Sequence, residues 1–98
     1  MRNFVRLYTN INGEINRFLK SFYLVTEEIL KNINNDTLEL QIEFDNPVEM
    51  SDLIGTFIEN KDEFKINMWI CIDEDVLINV TGNNADEIIR YLYERFPY

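Results

Sequence analysis

The sequence predicts an α+β fold in which a four-stranded mixed sheet and three helices form a two-layer sandwich. A long alternating stretch over residues 64–81 is typical of an antiparallel hairpin. Two further strand-like segments lie at residues 3–9 and 37–45, and segments with helical periodicity separate them. The predicted order is therefore β-α-β-α-β-β-α, with all three helices packed on one face of the sheet.

The first strand and the first helix follow from composition and spacing. Residues 3–9 are rich in β-branched and aromatic side chains, which favour a strand. Apolar residues then recur three and four positions apart from Ile11 to Ile33, which is a helical period. This spacing predicts one long helix over residues 12–33. The alternative is a break at residues 22–26, where β-branched and aromatic side chains lower helix propensity.

The second strand is predicted at residues 37–45 by nearly perfect alternation. Its apolar side chains share one face, while Glu39, Gln41 and Glu43 share the other. These carboxylates must meet water, because burying an unpaired carboxylate is very costly. The alternation therefore predicts that helices cover the sheet on one side only, at least at this strand.

Capping residues mark the start of the other two helices. Asn46 followed by Pro47 predicts a helix that runs to about residue 60, since Asn caps free N–H groups and Pro suits the first helical position. Asn84, with Glu87 three residues later, predicts the cap of the last helix. Pro97 ends that helix because proline cannot continue it.

The central hairpin assigns side chains to the two faces of the sheet. Ile66, Met68, Ile70 and Ile72 alternate with other residues and are expected to face the helices. Trp69 and Cys71 then point to the opposite face. On the adjoining strand Leu77 points with them, and the first strand adds either Phe4 and Tyr8 or Val5 and Leu7.

Size and composition indicate one globular domain over residues 1–98. The chain is 46% hydrophobic and 13% aromatic, which is well above the range of disordered chains. It has no apolar run of the length of a signal peptide or a membrane span. The lone Cys71 cannot form an internal disulfide, which favours a cytoplasmic location. The frequent Asn, Ile and Lys are typical of AT-rich genomes, such as those of low-GC bacteria.

Charge and composition argue against several classes of function. A net charge of −9 disfavours binding to nucleic acid and to anionic membranes, because both need clustered Lys and Arg. Without histidine and with a single cysteine, thiolate and imidazole zinc sites are excluded. The three glycines are scattered, so no phosphate-binding loop is present and no cofactor is expected. These observations favour a non-catalytic protein.

The acidic run Asp73, Glu74 and Asp75 is the densest carboxylate cluster of the chain. It is a weak candidate for a divalent-metal site or for a carboxylate-dependent enzyme, since Mg²⁺ and Ca²⁺ prefer oxygen ligands. The run lacks the spaced ligands of a calcium loop, and acidic residues also suit exposed turns. Cys71 has no histidine to activate it and is interpreted as an inert strand residue.

The face that carries Trp69, Cys71, Leu77 and Tyr8 is the predicted functional surface. A tryptophan-centred apolar patch with a polar border has the composition of a protein interface. The alternative is that a helix or the N-terminal segment covers it. The first hypothesis is a protein-interaction or self-association module, with a homodimer as the default because two-fold dimers are the commonest assembly. The second is a small-molecule binding module that uses the same face or the cleft between the long first helix and the sheet.

Overall fold

The secondary structure follows the predicted order. A computed structural model describes residues 2–21, 27–73 and 76–96. The strands are β1 (Phe4–Tyr8), β2 (Glu39–Glu43), β3 (Asn67–Ile72) and β4 (Val76–Val80). The helices are α1 (Glu14–Ser21), α2 (Glu27–Lys31), α3 (Met50–Glu59, after a 3₁₀ turn at Pro47–Glu49) and α4 (Ala85–Arg95). The predicted α+β class is thereby confirmed.

The four strands form one sheet in the order β2-β1-β3-β4, and every neighbouring pair is antiparallel. The prediction of a mixed sheet was therefore wrong in this detail. β2 and β3 do run in the same direction, joined by the crossover helix α3, but β1 lies between them and is antiparallel to both. The two parallel strands never become neighbours, so no parallel pair forms.

The core lies between the sheet and the helices, as predicted. Its buried side chains from the strands are Val5, Leu7, Ile42, Met68, Ile70, Ile72 and Val80. Those from the helices include Ile15, Phe18, Leu19, Leu53, Ile54, Phe57, Ile88 and Leu92. The ring of Phe18 packs edge-on against Phe57 and Phe64, with ring centroids 6.2 and 5.3 Å apart. Such pairs add to the stabilisation from burial.

The predicted first helix is described as two pieces, α1 and α2. Residues 22–26, where a break was the alternative, lie outside the described residues, so the continuity of this helix stays a prediction. Ile11, at the start of the apolar pattern, precedes α1 and is exposed. None of the described helices is long and apolar enough to cross a membrane.

The two predicted caps behave differently. The Asn46 side chain accepts a hydrogen bond from the Val48 N–H at 3.1 Å, which starts the turn that leads into α3, as predicted. Asn84 occupies the cap position of α4, but its side chain makes no cap hydrogen bond. It accepts from the Thr81 N–H and donates to the Asn79 carbonyl, so it fastens the start of α4 to the end of β4.

Glu14, at the start of α1, connects this helix to the chain that enters β3. Its carboxylate accepts hydrogen bonds from the Lys65 backbone N–H at 2.8 Å and from the Arg17 guanidinium at 2.9 Å. The pKa of Glu14 is lowered mainly by the hydrogen bond from the Lys65 N–H, and next by the hydrogen bond from the Arg17 guanidinium. Arg17 in turn lies 4.2 Å from the Phe64 ring centroid and donates to the Glu63 carbonyl.

Candidate functional site

The face of the sheet opposite the helices is named the open face. It consists of alternate residues of the four strands: Phe4, Arg6, Tyr8, Glu39, Gln41, Glu43, Asn67, Trp69, Cys71, Leu77 and Asn79. None of these residues belongs to the hydrophobic core cluster. All buried apolar residues of the described helices belong to the core on the opposite side.

The strand register resolves the choice for β1. Val5 and Leu7 are buried in the core, so Phe4 and Tyr8 lie on the open face. Phe4 pairs with Cys71, and Arg6 pairs with Trp69. The register thus places Trp69 beside Arg6 at the centre of the sheet, with Phe4 and Tyr8 diagonal to it on β1.

The chemistry of the open face changes from one side to the other. The β2 side is polar and acidic, since Glu39, Gln41 and Glu43 are all exposed there. The β4 side is uncharged, with Leu77 beside Cys71 and Asn79 beside Trp69. The apolar part of the open face that reaches solvent therefore lies towards β4.

Two arginines cover the β1 side of the open face. The Arg6 guanidinium lies 5.0 Å from the Phe4 ring centroid, and the Arg2 guanidinium lies 5.4 Å from it. Arg6 donates to Gln41 Oε1 at 2.8 Å, and Arg2 forms an ion pair with Glu43. These partners hold both cations over the ring, an arrangement that also gains cation–π attraction. Phe4 is only 7% exposed as a result.

The four residues predicted for the interaction face share the open face but differ in exposure. Leu77 is 50% exposed, while Trp69 and Tyr8 are half-buried. Cys71 is buried between its pairing partners Phe4 and Leu77, so its thiol does not reach the surface. The predicted facing of the strand residues is thus found, and the function of the face stays a prediction.

Sequence reasoning missed the contribution of the two arginines. Arg2, Phe4 and Arg6 are spaced two residues apart, and this spacing places them on the same face of an extended strand. The pattern of cation, aromatic ring and cation was therefore legible in the sequence. The β1 side of the open face is therefore covered by these two arginines. Arg6 belongs to β1 itself, and Arg2 lies just before it.

A second concave surface, named the α4 groove, lies between the outer strand β4 and helix α4. It encloses about 510 Å³ and is lined by Ile72, Asp73, Val76, Ile78, Asn84, Glu87, Ile88, Tyr91 and Arg95. The cleft proposed from the sequence was expected beside the long first helix. The depression next to α1, of about 500 Å³, is polar instead and is lined by Asn12, Gly13, Glu14, Asn16, Arg17, Lys20 and Asn35.

Asp73 is the one described residue of the predicted acidic cluster; Glu74 and Asp75 lie outside the described residues. Asp73 has a φ of 55°, in the left-handed region that non-glycine residues rarely adopt, and its N–H donates to Asn3 Oδ1 at 3.0 Å. Its Oδ2 lies 4.0 Å from Arg95 Nε, and its Oδ1 is buried without a hydrogen-bond partner among the described residues. The described ranges contain no group of three or more His, Cys, Asp or Glu that could hold a metal ion.

Comparison of the chain with protein-family models, with curated proteins and with solved structures found no match in any of the three sets. Its function must therefore be argued from the surfaces described above.

Proposed function

We propose that this domain is a non-catalytic protein-interaction module of the cytoplasm and that it binds a partner protein through the open face around Trp69. The observation that carries the proposal is the uncharged part of that face, formed by the exposed Leu77 and the half-buried Trp69, with the half-buried Tyr8 nearby. Trp and Tyr are enriched at the centres of protein interfaces because they bury large areas at low cost in conformational entropy.

The polar surroundings of the patch also suit an interface. Arg6 lies directly beside Trp69, and arginine is the charged residue most enriched at interfaces. Its hydrogen bonds to Gln41 restrict the guanidinium before any partner arrives, so less side-chain entropy is lost on binding. A rigid, partly apolar surface with a polar border is the arrangement expected of an interface core and its rim.

Charge indicates the chemistry of the partner. The domain carries a net charge of −9, and Glu39 and Glu43 line the β2 side of the open face. A partner surface with an apolar pocket for Trp69 and basic residues opposite β2 would be complementary, and such charges mainly raise the rate of association.

The proposal is tested with the Trp69→Glu variant and a matched control, Leu38→Glu. Leu38 is 42% exposed and precedes β2, outside the open face, so the control adds the same charge elsewhere. In quantitative affinity purification we expect a partner retained by the wild type and by L38E but lost with W69E. With the purified partner, W69E should weaken the dissociation constant at least about tenfold, because truncating an interface tryptophan typically costs more than about 1.4 kcal/mol.

Equal recovery of every partner by the wild type and W69E would overturn the proposal. Circular dichroism of each variant shows whether it folds. If W69E does not fold, Trp69→Ser removes the aromatic ring without adding a charge and gives the same comparison.

A further inference from the structure

We propose that the outer edge of β4 pairs with the same edge of a second copy of this chain and joins two sheets into one continuous antiparallel sheet. The homodimer predicted from the sequence can thus form without the Trp69 face. The proposal rests on the outward-pointing backbone groups of β4 and on its exposed apolar side chains. It does not depend on the proposed function of the open face.

The backbone of β4 forms an outer edge of the sheet. Phe44 N–H donates to the Asn3 carbonyl and Thr9 N–H to the Leu38 carbonyl, so the odd-numbered residues of β1 bond to β2. Bonding alternates along antiparallel strands, and the observed register carries this alternation across β3 to β4. The N–H and C=O groups of Leu77 therefore point away from β3, as do those of Asn79.

The Asn79 carbonyl already accepts a hydrogen bond from Asn84 Nδ2 at 2.8 Å, which agrees with its outward direction. A carbonyl oxygen has two lone pairs and can accept a second bond. With a two-fold axis through Ile78, Leu77 of one copy faces Asn79 of the other. The N–H of each then donates to the carbonyl of the other, in the pattern of an antiparallel ladder.

Exposed apolar side chains surround this edge. Val76 is 48% exposed and Leu77 is 50% exposed, although they lie on opposite faces of the strand. Val76 lines the α4 groove, and Tyr91 is exposed on the α4 side of the same groove. A second β4 placed alongside would shield Val76 and Leu77 of both copies from water, and the removal of apolar surface from water favours association.

Charged groups lie near both ends of β4. The Lys61 ammonium lies 3.5 Å from where a Cβ on Gly82 would be, just after the strand. Asp73 precedes the strand, but its side chain is only 15% exposed and its Oδ2 lies 4.0 Å from Arg95 Nε of the same chain. The pairing therefore rests on the backbone and the apolar side chains of β4 rather than on these charges.

The open face suits a second copy less well. A two-fold axis across the strands would stack β2 on β2 and place Glu39 and Glu43 against the same acidic residues. An axis along the strands would stack charged β2 on apolar β4. Neither arrangement is complementary, and juxtaposed like charges or unpaired desolvated charges oppose binding.

The experiment is a measurement of molar mass by light scattering over a concentration series, using four forms of the full chain. Val76→Lys places a charge at the proposed seam, and Leu38→Lys adds the same charge at a similarly exposed position next to β2. Trp69→Glu places a charge on the open face. We expect the wild type, L38K and W69E to form a dimer of twice 11.8 kDa. We expect V76K to weaken that dimer at least about tenfold.

A wild type that stays monomeric up to its solubility limit would overturn the inference. So would a dimer that W69E disrupts and V76K does not, and that result would instead place self-association on the open face. A dimer lost in V76K alone leaves partner binding through Trp69 as a separate question, so the two proposals fail independently.

Amide hydrogen exchange provides a second test, which uses only the wild-type protein. In the wild type, the amides of Leu77 and Asn79 should become more protected as the protein concentration rises. Those of Val76, Ile78 and Val80 already bond to β3 in each copy and should change less. Equal exchange of the Leu77 and Asn79 amides at low and high concentration would contradict the pairing.

Discussion

The two edge strands of this sheet have the same length and opposite chemistry. β2 reads ELQIE and carries exposed carboxylates at both ends, one of them paired with Arg2. β4 reads VLINV and carries no charge, and two of its apolar residues are about half exposed. Charged side chains on an edge strand prevent another strand from adding to it. The sheet is therefore protected at one edge and open to strand addition at the other.

The two edges also differ in how the core covers them. Ile42 of β2 is buried between the sheet and the helices, whereas Val76 of β4 borders the α4 groove and stays half exposed. Helix α4 leaves this end of β4 partly uncovered. The edge that lacks charges is thus also the edge whose inward-facing side is incomplete, and a neighbouring strand would complete it.

The largest expected effect comes from truncating the buried side chain on β2. Ile42→Ala should lower the free energy of unfolding by about 2–4 kcal/mol, because it removes buried methylene groups and leaves a cavity. Val76→Ala on β4 should cost no more than about 0.5 kcal/mol in the monomer, since that side chain is already half in water. Urea unfolding of both variants at low protein concentration measures the difference. Equal losses for both would mean that β4 is as well covered as β2.

A second change makes the protected edge resemble the open one. Replacing Glu39 and Glu43 by Val turns β2 into VLQIV, which is close to the sequence of β4. We expect the weight-average mass in light scattering to rise above that of the wild type, with association strengthened by about tenfold, or about 1.4 kcal/mol. Substituting Gln at both positions keeps the side-chain length and is the control. An unchanged mass in the valine variant would show that charge is not what protects β2.

The smallest effect is expected at Glu14, which belongs to neither edge strand and serves as a reference for the other two predictions. Because the pKa of this carboxyl is lowered in the folded state, its ionised form stabilises the fold. That contribution is complete above the usual pKa of a glutamate and is lost as the pH falls through the folded-state pKa. Glu14→Gln should therefore be less stable than the wild type at pH 7.

Unfolding curves recorded between pH 7 and pH 3 should show the E14Q and wild-type stabilities converging on the acid side. Glu59→Gln, at the exposed end of α3, is the control. A constant difference across this range would mean that the Glu14 charge has no part in the contact with Lys65. The oligomeric state should be the same for E14Q and the wild type, since neither edge strand is altered.

Local periodicity predicted most of the fold and the composition of the open face. Alternation alone placed Trp69, Cys71 and Leu77 together on the side away from the helices, because side-chain direction in a strand depends only on position along it. Periodicity did not predict that every pair of neighbouring strands would be antiparallel. This arrangement depends on β1 entering between β2 and β3, which is a contact between distant parts of the chain.

The α4 groove could not be predicted from the sequence, because it also depends on how separate parts of the chain pack together. Its walls come from β4 and α4, and its size depends on how far the helix lies from the strand. Asn84 looked like an ordinary helix cap, but its side chain binds the end of β4 instead. Cap residues are recognised by position, and position does not reveal which of several nearby backbone groups the side chain will choose.

The central place of β1 has a consequence for synthesis on the ribosome. β1 is the first strand to be made, yet Val5 pairs with both Ile42 and Ile70, so its two neighbours are completed much later. β1 can pair with β2 once residue 43 has left the exit tunnel, but its other edge has no strand to pair with until residue 72 has followed. Such long-range closure slows folding and leaves nascent chains dependent on chaperones. Deleting β1 would separate β2 from the β3–β4 hairpin and leave no continuous sheet.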